Sequence, residues 1–448
     1  MSEPETIFAL SSGAGKAGVA VIRISGPRCG TVLTRMTGGP LEPRMASLRR
    51  LVHPDTGDFL DLGLALYFPG PASFTGEDVV ELQVHGGNAV RNAVLEALTA
   101  IDGCRPADSG EFTRRAFEAG KLDLSGVEGL ADLINAETDV QRRLALRDAS
   151  GGLASACDGW RQSLMRCLAM VEANIDFVDE QDVPEDLMSA ELPALEAVLA
   201  DIGYWLEDNR RGEILRAGYR VVIAGLPNVG KSSLLNRIAG RDAAIVTEIA
   251  GTTRDVIEVF LDLGGYPVVF ADTAGLRRSA DRVERIGIDQ ARGALSRAEL
   301  VLWVADERGS WPEEVEGDFD SDALWVRNKA DLPGARVDAG CASGAVLHVS
   351  AATGTGMTEL LQEVESRAER RLQGSESFGV ARARQVSCLQ ACSRALAEAV
   401  DLARAQGDRQ ELVGEALRRS LLALGRLSGR VDVEEVLDVV FGEFCIGK

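Results

Sequence analysis

The eight residues Gly225-Leu-Pro-Asn-Val-Gly230-Lys231-Ser232 decide the fold of this chain. They follow a short apolar run, Tyr219 to Ala224, and precede a helical pattern, Ser233 to Ala239. A glycine loop between a strand and a helix lets backbone N–H groups converge on phosphates at the positive end of the helix dipole. We expect Lys231 to reach the β- and γ-phosphates and the Ser232 hydroxyl to bind Mg²⁺. The stretch predicts a P-loop nucleotide domain.

Three later loops indicate which nucleotide is bound. Asp272-Thr-Ala-Gly275 places a carboxylate near Mg²⁺ and a glycine N–H near the γ-phosphate. In Asn328-Lys329-Ala-Asp331, the last carboxylate can accept two hydrogen bonds from guanine N1–H and its amino group, a pair that adenine lacks. Ser350-Ala351-Ala352 suits the guanine O6. Ligands of open α/β sheets bind at the carboxyl ends of strands, so the base is predicted to be guanine. The strands predicted to carry these loops are Val268–Ala271, Ala323–Val326 and Val346–Val349.

The residues that would activate water are less clear from the motifs. Ras-like enzymes place a glutamine directly after the glycine that corresponds to Gly275. Here Leu276 occupies that position and cannot orient water. Thr252 and Thr253 offer two hydroxyls to complete the Mg²⁺ shell. Arg254 is either an arginine finger or a surface salt bridge to Asp255, and the residues alone favour the salt bridge.

Composition sets the broad class. With 448 residues, 46% hydrophobic and 26% charged, the chain is expected to fold into two or three domains. A formal charge of −21 argues against a global positive field for nucleic acid, but leaves room for a local patch or a partner that supplies one. Eight scattered cysteines and three histidines suggest neither a zinc site nor a disulfide framework, so a cytoplasmic location is predicted. No apolar run is long enough to span a membrane.

The apolar pattern divides the chain into four segments. Residues 1–120 mix strands and short helices, 121–216 are helical, 217–373 alternate strand, loop and helix, and helices resume over 374–448. The predicted fold is multidomain α/β plus all-α: an N-terminal α+β domain, and a helical domain interrupted by a Ras-like G domain with a mainly parallel sheet. Individual predictions include strands at Val19–Ile24 and Leu62–Phe68 and a helix at Asn88–Ile101.

Motifs in every segment carry a family resemblance. Outside the nucleotide segment they are Ser73-Phe-Thr-Gly-Glu-Asp, Gly110-Glu-Phe-Thr-Arg-Arg-Ala-Phe, Gly120-Lys-Leu-Asp-Leu and Phe444-Cys-Ile-Gly-Lys448. Within it they are GLPNVGKSSLL from Gly225, Glu248-Ile-Ala-Gly-Thr-Thr-Arg-Asp255, and DTAGLR from Asp272. Together they resemble the bacterial tRNA-modification GTPase family MnmE, also called TrmE.

This resemblance implies a second ion in the nucleotide site. A K⁺ ion would stand where an arginine finger would, with ligands from Asn228, Thr247, Ile249 and Thr252. Thr253 would join Ser232 on Mg²⁺, and the catalytic residues would be Lys231 and Glu284, the latter orienting water. The residues alone instead favour a solvated helix charge for Glu284. The implied GTP contacts are Asn228, Val229, Gly230, Lys231, Ser232, Ser233, Thr247, Glu248, Ile249, Ala250, Gly251, Thr252, Thr253, Asp272, Thr273, Ala274, Gly275, Asn328, Lys329, Asp331, Ser350, Ala351 and Ala352.

The resemblance also implies an N-terminal domain that binds tetrahydrofolate and dimerises. Its folate contacts would be Arg23, Glu81, Lys121 and Lys448. Cationic side chains can pair with folate carboxylates, and Glu81 can accept from the pterin amino groups. For Arg23 and Glu81 a strand-end ion pair is an equally good interpretation. Cys445 is a candidate reactive thiol beside Lys448, although a buried, inert thiol is favoured by residue type.

The function implied is a K⁺-stimulated GTP hydrolase acting as a homodimer. It would act with an MnmG-like FAD protein, in a heterotetramer or larger complex, and no membrane would be involved. The complex would modify C5 of the wobble uridine of certain tRNAs. The group would be of the aminomethyl or carboxymethylaminomethyl type, with a one-carbon unit from 5,10-methylene-tetrahydrofolate; 5-formyl-tetrahydrofolate would bind the same site. The alternative is a regulatory GTPase that times ribosome or complex assembly, which needs no folate. A folate enzyme with a degenerate G domain is disfavoured because every nucleotide motif is intact.

Overall fold

The structure is a computed structural model that forms two compact units. It describes residues 5–13, 15–176, 187–207, 209–240, 244–247, 258–272, 295, 297–306, 322–332, 346–373, 380–405, 409–431, 437, 440–442, 444 and 447. The first unit comprises Met1–Ala131, Leu146–Ala169 and Arg418–Lys448. The second comprises Asp132–Ala145 and Met170–Leu417.

The first unit contains the α+β region predicted at the N-terminus. Its strands are β1 (Thr6–Leu10), β2 (Ala17–Ser25), β3 (Ser47–Val52), β4 (Phe59–Phe68), β5 (Val79–Gly86) and β6 (Cys104–Pro106). The helices of this part of the chain are α1 (Cys29–Thr37), α2 (Asn88–Thr99), α3 (Glu111–Glu118) and α4 (Leu124–Ile134). The strands predicted at 19–24 and 62–68 and the helix predicted at 88–101 are confirmed as parts of β2, β4 and α2.

Within the described residues the six strands form one sheet in the order β3-β4-β5-β2-β1-β6. Neighbouring strands are antiparallel except β1 and β6. Because side chains alternate across a strand, Ile22 and Ile24 of β2 enter the core with α1 and α2, whereas Arg23 points to the other face. Register places Arg23 opposite Glu81 of β5 on one side and Ala9 of β1 on the other.

Long helices precede the nucleotide segment, as the apolar spacing predicted. They are α5 (Asp139–Ala149), α6 (Gly152–Asp176), α7 (Leu187–Glu207) and α8 (Asn209–Ala217). No helix in the described part of the chain is both long enough and apolar enough to cross a membrane.

The second unit contains the predicted strand, loop and helix alternation. Its strands are β7 (Tyr219–Ala224), β8 (Ala244–Thr247), β9 (Glu258–Leu263), β10 (Tyr266–Asp272), β11 (Leu300–Asp306), β12 (Asp322–Asn328) and β13 (Val346–His348). Its helices α9 (Lys231–Ala239) and α10 (Met357–Leu372) are followed by α11 (Ala383–Arg404) and α12 (Gln410–Ser428). The strands predicted at 219–224, 268–271, 323–326 and 346–349 are thus confirmed to within a residue or a few at their ends.

In the described residues this sheet has the order β13-β12-β11-β7-β10-β9-β8. It is parallel from β13 to β10, and β9 pairs antiparallel with both β10 and β8. The central strands are buried over nearly their whole length, as in parallel sheets covered on both faces. The carboxyl ends of β7, β10, β11 and β12 therefore meet along one edge, which is where the predicted nucleotide loops begin.

Candidate functional sites

The phosphate loop between β7 and α9 is shaped by two glycines. Gly225 has φ +150° and a Cβ there would overlap the carbonyl oxygen of Val304; Gly230 has φ +96° and a Cβ there would overlap the Asn328 carboxamide. Only glycine fits both positions. The loop curls around the Lys231 ammonium, which donates to the carbonyl oxygens of Gly225 (3.0 Å) and Leu226 (2.9 Å). The lysine is 8% exposed, so its charge is held inside the loop where phosphates are predicted to bind.

The predicted Mg²⁺ ligand Ser232 lies beside Asp272, the carboxylate predicted to stand near the ion. The Ser232 hydroxyl, in the first turn of α9, donates to Asp272 Oδ2 at 2.7 Å, and Asp272 is the last residue of β10. Hydroxyl and carboxylate oxygens are the hard ligands that Mg²⁺ prefers, so this donor set fits the ion. Within the described residues no group of three or more histidine, cysteine or acidic side chains is arranged to hold a metal.

Asn328 connects the phosphate loop to the loop after β13. Its Nδ2 donates to the carbonyl oxygen of Val229 at 2.9 Å, and its Oδ1 accepts from the N–H of Ala351 at 3.1 Å. The side chain is 2% exposed. Because one side chain bonds to the backbone of both loops, this asparagine sets the spacing between the predicted phosphate and guanine sites.

The residues predicted to recognise guanine are also held by neighbours. Ser350, fully buried, donates its hydroxyl to Asp331 Oδ1 at 2.6 Å, which orients that carboxylate. Lys329 adopts a left-handed φ of +68° and donates to the carbonyl oxygen of Asn228 at 2.9 Å. The loops after β7, β12 and β13 are thus brought together as the sequence predicted.

One residue at this edge was missed by the sequence analysis. Asp306 ends β11, and its carboxylate lies 3.9 Å from the Lys329 ammonium. Its carbonyl oxygen accepts from Arg327 Nη1 at 2.8 Å. The sequence feature that could have pointed to Asp306 is its place as an acidic residue at the end of a strongly apolar strand. That strand belongs to the same sheet as the strands before the other loops.

Several predicted site residues lie outside the described residues, and their roles stay predictions. They are Glu248, Ile249, Ala250, Gly251, Thr252, Thr253, Thr273, Ala274, Gly275, Glu284, Cys445 and Lys448, together with Arg254, Asp255 and Leu276. Thr247 is described as the last residue of β8, paired with Glu258 of β9. Among the predicted K⁺ ligands, Asn228 has an exposed position in the phosphate loop and a left-handed φ of +63°.

In the first unit, Arg23 and Glu81 form an ion pair across β2 and β5. Arg23 Nε and Nη2 each lie 3.0 Å from Glu81 Oε1. The guanidinium also lies 5.4 Å from the ring centre of Phe74 and 5.9 Å from that of Phe112. Cation–π contacts at these distances hold the guanidinium in place. The ion-pair interpretation is confirmed, while folate contact by the same residues stays a prediction.

The loop before β5 is fixed by a buried polar network. Glu77 accepts from the Ser25 hydroxyl at 2.8 Å and from Arg115 Nη1 at 2.9 Å, and Ser25 and Thr75 hydroxyls are 2.7 Å apart. Arg115 Nη2 also donates to Glu111 at 3.0 Å. Burial raises the pKa of Glu111. Hydrogen bonds from Arg105, the Asp108 N–H and Arg115 lower this pKa by a larger amount, so the net pKa is below the usual range.

Of the other two predicted folate residues, Lys121 lies within the described residues and Lys448 does not, although its neighbour Gly447 does. Lys121 is exposed, and its Cε would be 3.6 Å from a Cβ at Gly76 in the same loop. The carbonyl oxygen of Gly447 accepts from the Ser11 hydroxyl at 2.8 Å. A Cβ at Gly447 would overlap the carbonyl oxygen of Leu10, which pairs with Ile22 next to Arg23. Gly447 therefore lies next to the end of β1, the strand that pairs with β2.

The sheet order, the three connected loops after β7, β12 and β13, and the contact between Ser232 and Asp272 define a class: this is a Ras-like P-loop protein whose nucleotide segment is joined to an α+β region and to long helices. Comparisons with known proteins agree over the whole chain. The family model for the GTP-binding protein TrmE N-terminus matches residues 6–121, and the model for the MnmE helical domain matches residues 124–445.

Curated relatives are similar over nearly their full length. The tRNA modification GTPase MnmE of Parvibaculum lavamentivorans is 50% identical over 445 residues, covering 99% of this chain and 100% of the relative. That of Rhodopseudomonas palustris is 47% identical, covering 99% of each. The chain belongs to the MnmE family. A solved G domain of the T. maritima FeoB iron transporter is 26% identical over 33% of this chain and 98% of that one, with a TM-score of 0.26, too low to bear on fold or function.

Proposed function

We propose that this protein hydrolyses GTP in a Mg²⁺- and K⁺-dependent reaction and uses the cycle to modify tRNA. Its relatives are named tRNA modification GTPases. The observation that carries the proposal is the hydrogen bond between Ser232 and Asp272 beside the buried Lys231. The Ser232 hydroxyl and the Asp272 carboxylate would hold Mg²⁺ there, and the ion would neutralise charge on the phosphates. Lys231 stabilises the same negative charge from inside the loop.

The remaining roles in hydrolysis follow the family pattern. Residues 217–373 form the G domain, in which Asp331 and Ser350 select guanine and Thr253 completes the Mg²⁺ shell. K⁺ is held by Asn228 with Thr247, Ile249 and Thr252, and Glu284 orients the attacking water. The exposed carboxamide of Asn228 supports its part in this ion site, since a carboxamide oxygen suits an alkali cation.

The test compares GTP turnover in K⁺ and in Na⁺ at matched ionic strength. Asn228→Gly removes the carboxamide but tolerates the left-handed φ, whereas Asn228→Ala removes it with added strain. Both variants should lose K⁺ stimulation, while Asn236→Ala, an exposed asparagine on α9, should keep it. Equal wild-type rates in the two salts would overturn the K⁺ mechanism. Arg254 or an external activator would then be the leading candidate for the role assigned to K⁺.

The N-terminal segment, residues 1–120, binds tetrahydrofolate and supplies a one-carbon unit for the wobble uridine. Segments 121–216 and 374–448 form the helical domain. The partner is an MnmG-like FAD protein in the cytoplasm. Because this chain carries a net charge of −21, the partner provides much of the binding to tRNA. Nucleoside analysis of tRNA incubated with both proteins, GTP and methylene-tetrahydrofolate checks this: an unmodified uridine C5 would favour the assembly-timing alternative.

The first unit is also the site of homodimerisation. The face of its sheet opposite α1 and α2 exposes apolar side chains on adjacent strands: Leu48 and Leu64 are paired, at 64% and 36% exposure, and Leu62 and Val19 extend the surface. Exposed apolar surfaces of this kind mark interaction sites. Light scattering should report a dimer that Leu64→Glu converts to monomer, whereas Leu412→Glu, an exposed leucine of α12, leaves the dimer intact. A dimer that persists in Leu64→Glu together with Leu48→Glu places the interface elsewhere.

A further inference from the structure

The nucleotide-domain sheet carries a polar cavity at the edge where its strands begin. The cavity has a volume of about 330 Å³ and is lined by Tyr219, Glu299, Asp322, Arg367, Arg370 and Arg371. We propose that it binds a backbone phosphate of tRNA. This inference rests on the proposed function in tRNA modification and adds to it a contact site on this chain.

The cavity lies away from the predicted GTP site. Tyr219 is the first residue of β7, Asp322 is the first residue of β12, and Glu299 directly precedes β11. The phosphate and guanine loops begin where these parallel strands end. β7 is six residues long, so its two ends lie about 17 Å apart at about 3.3 Å per residue. A ligand in the cavity therefore uses none of the groups predicted to bind GTP.

Two of the lining arginines have hydrogen-bond donors to offer. Arg367 is held tightly, with Nη1 2.7 Å from Asp322 and Nε 2.8 Å from Glu363. Arg370 and Arg371, in the last turn of α10, are 65% and 49% exposed, and their ion-pair distances are 4.0 Å and 3.6 Å. Those distances are too long for hydrogen bonds. The planar N–H groups of a guanidinium match the oxygens of a phosphate, so these two arginines suit that ligand.

Tyr219 supplies a further donor. The residue is 2% exposed, and among the described residues its hydroxyl makes no hydrogen bond. The charged groups that act on this hydroxyl all belong to the cavity lining, and burial raises the pKa of Tyr219, so the O–H stays protonated. Arginines in a last helical turn also offset the helix dipole. That effect accounts for the positions of Arg370 and Arg371 but not for a buried hydroxyl that faces them without a partner.

The size of the cavity and its charges favour RNA over an acidic peptide. Ligand pockets span about 300–1,000 Å³, so this cavity is at the small end and suits one phosphate with its sugar. The chain as a whole carries a charge of −21 and repels RNA, so contact has to be made by a local group of arginines. Glu299 opposes it: its Oε2 lies 3.6 Å from Arg371 Nε and competes with a phosphate for that side chain.

The experiment measures the affinity of the full chain for fluorescently labelled tRNA by anisotropy over a range of salt concentrations. Arg370→Gln and Arg371→Gln should each weaken binding about threefold to tenfold and reduce the salt slope by about 1. Tyr219→Phe should weaken binding with the slope unchanged. Glu299→Gln should strengthen it, because the competing charge is removed. Arg143→Gln, which removes an exposed arginine of α5 paired with Asp139, is the matched control and should leave the affinity unchanged.

The outcomes separate this inference from the proposed function. Wild-type protein that binds no tRNA at low salt, or arginine variants that match Arg143→Gln, would overturn the site. Weaker tRNA binding in Glu299→Gln would overturn it too, because the ion pairs would then be purely structural. Effects of the same variants on a hexaglutamate peptide but not on tRNA would assign the cavity to a protein partner.

Two further measurements complete the test. Calorimetry with inorganic phosphate distinguishes the source of the anion, and free phosphate that binds as tightly as tRNA would assign the cavity to a small anion instead. Nucleoside analysis with the partner protein tests the proposed function by itself: an unmodified uridine would overturn that function even where the arginine variants weaken tRNA binding as expected. Thermal melting identifies any variant that has lost its fold.

Discussion

The carboxamide nitrogen of Asn328 donates a 2.9 Å hydrogen bond to the backbone carbonyl of Val229, so one buried side chain joins the end of β12 to the phosphate loop. The same side chain accepts from the Ala351 N–H on the third loop. The sequence pattern assigned Asn328 to nucleotide contact, but in the structure its polar atoms bind the protein. Its contribution to nucleotide affinity is therefore to hold the phosphate and guanine loops at a set distance.

Replacing Asn328 with alanine should weaken GDP binding even if the Asn328 side chain does not contact the nucleotide. The buried Val229 carbonyl and the partly buried Ala351 N–H lose their partner. A buried unsatisfied group costs about 1–3 kcal/mol, so we expect affinity to fall by about tenfold and the melting temperature to drop. Asn328→Asp should also fail, because an oxygen would then face the Val229 carbonyl. Titration with fluorescent GDP measures the effect, with Asn236→Ala as the control. Wild-type affinity in Asn328→Ala would show that the connection is dispensable.

Glu111 should stabilise the protein at neutral pH and lose that effect in acid. Burial raises its pKa, but hydrogen bonds led by Arg105 outweigh burial, and the net pKa lies below the usual range. A carboxylate whose pKa is lower in the folded state than in the unfolded state stabilises the fold at pH values above the usual glutamate pKa. This stabilisation is lost as the pH falls through the pKa of the folded state. At neutral pH we expect Glu111→Gln to lose about 1–3 kcal/mol of unfolding free energy.

Urea unfolding across the acid range checks this sign. The curves of wild type and Glu111→Gln should converge as the pH falls, whereas Glu118→Gln, an exposed neighbour on α3, should match wild type throughout. A gap between wild type and Glu111→Gln that widens in acid would contradict the assignment of a lowered pKa.

Gly447 should be needed for its own contact with Leu10 and Ser11. Its φ is +104° and a Cβ would overlap the Leu10 carbonyl oxygen, so Gly447→Ala must displace the backbone at this position. We expect faster amide exchange at Leu10 and Ser11 and weaker 5-formyl-tetrahydrofolate binding. Gly442→Ala is the matched control, because a Cβ at Gly442 has no neighbour within 4 Å. Unchanged exchange in Gly447→Ala would mean that the hydrogen bond between Ser11 and Gly447 does not form in solution.

The buried thiols should be inert. Burial raises the pKa of Cys29 to about 12 and that of Cys392 to about 12, so neither forms the nucleophilic thiolate at neutral pH. Mass spectrometry after iodoacetamide treatment should find both unmodified in native protein and modified after denaturation. Cys445 is the predicted reactive thiol, and its labelling under native conditions tests that prediction. Native labelling of Cys29 would contradict its burial.

Local sequence was sufficient for the nucleotide segment because each loop directly follows a strand of continuous apolar residues. The glycines at 225 and 230 could be assigned from the motif alone, and the structure gives the reason, since a Cβ at either would overlap a neighbouring loop or strand. Asp306 escaped notice because a single acidic residue after β11 has no motif of its own. Its relevance depends on β11 and β12 being neighbours in the sheet.

By itself the sequence determined the order of elements, the phosphate loop and the family, because these depend on local periodicity and on motifs within a few residues. Tertiary structure decided which distant residues meet: Asn328 with Val229, Arg23 with Glu81, and Gly447 with Ser11. Residues such as Ser11 and Gly447 are 436 positions apart, and no local pattern records that distance. Strand pairing and burial bring such residues together, since unpaired polar groups are too costly to leave inside the core.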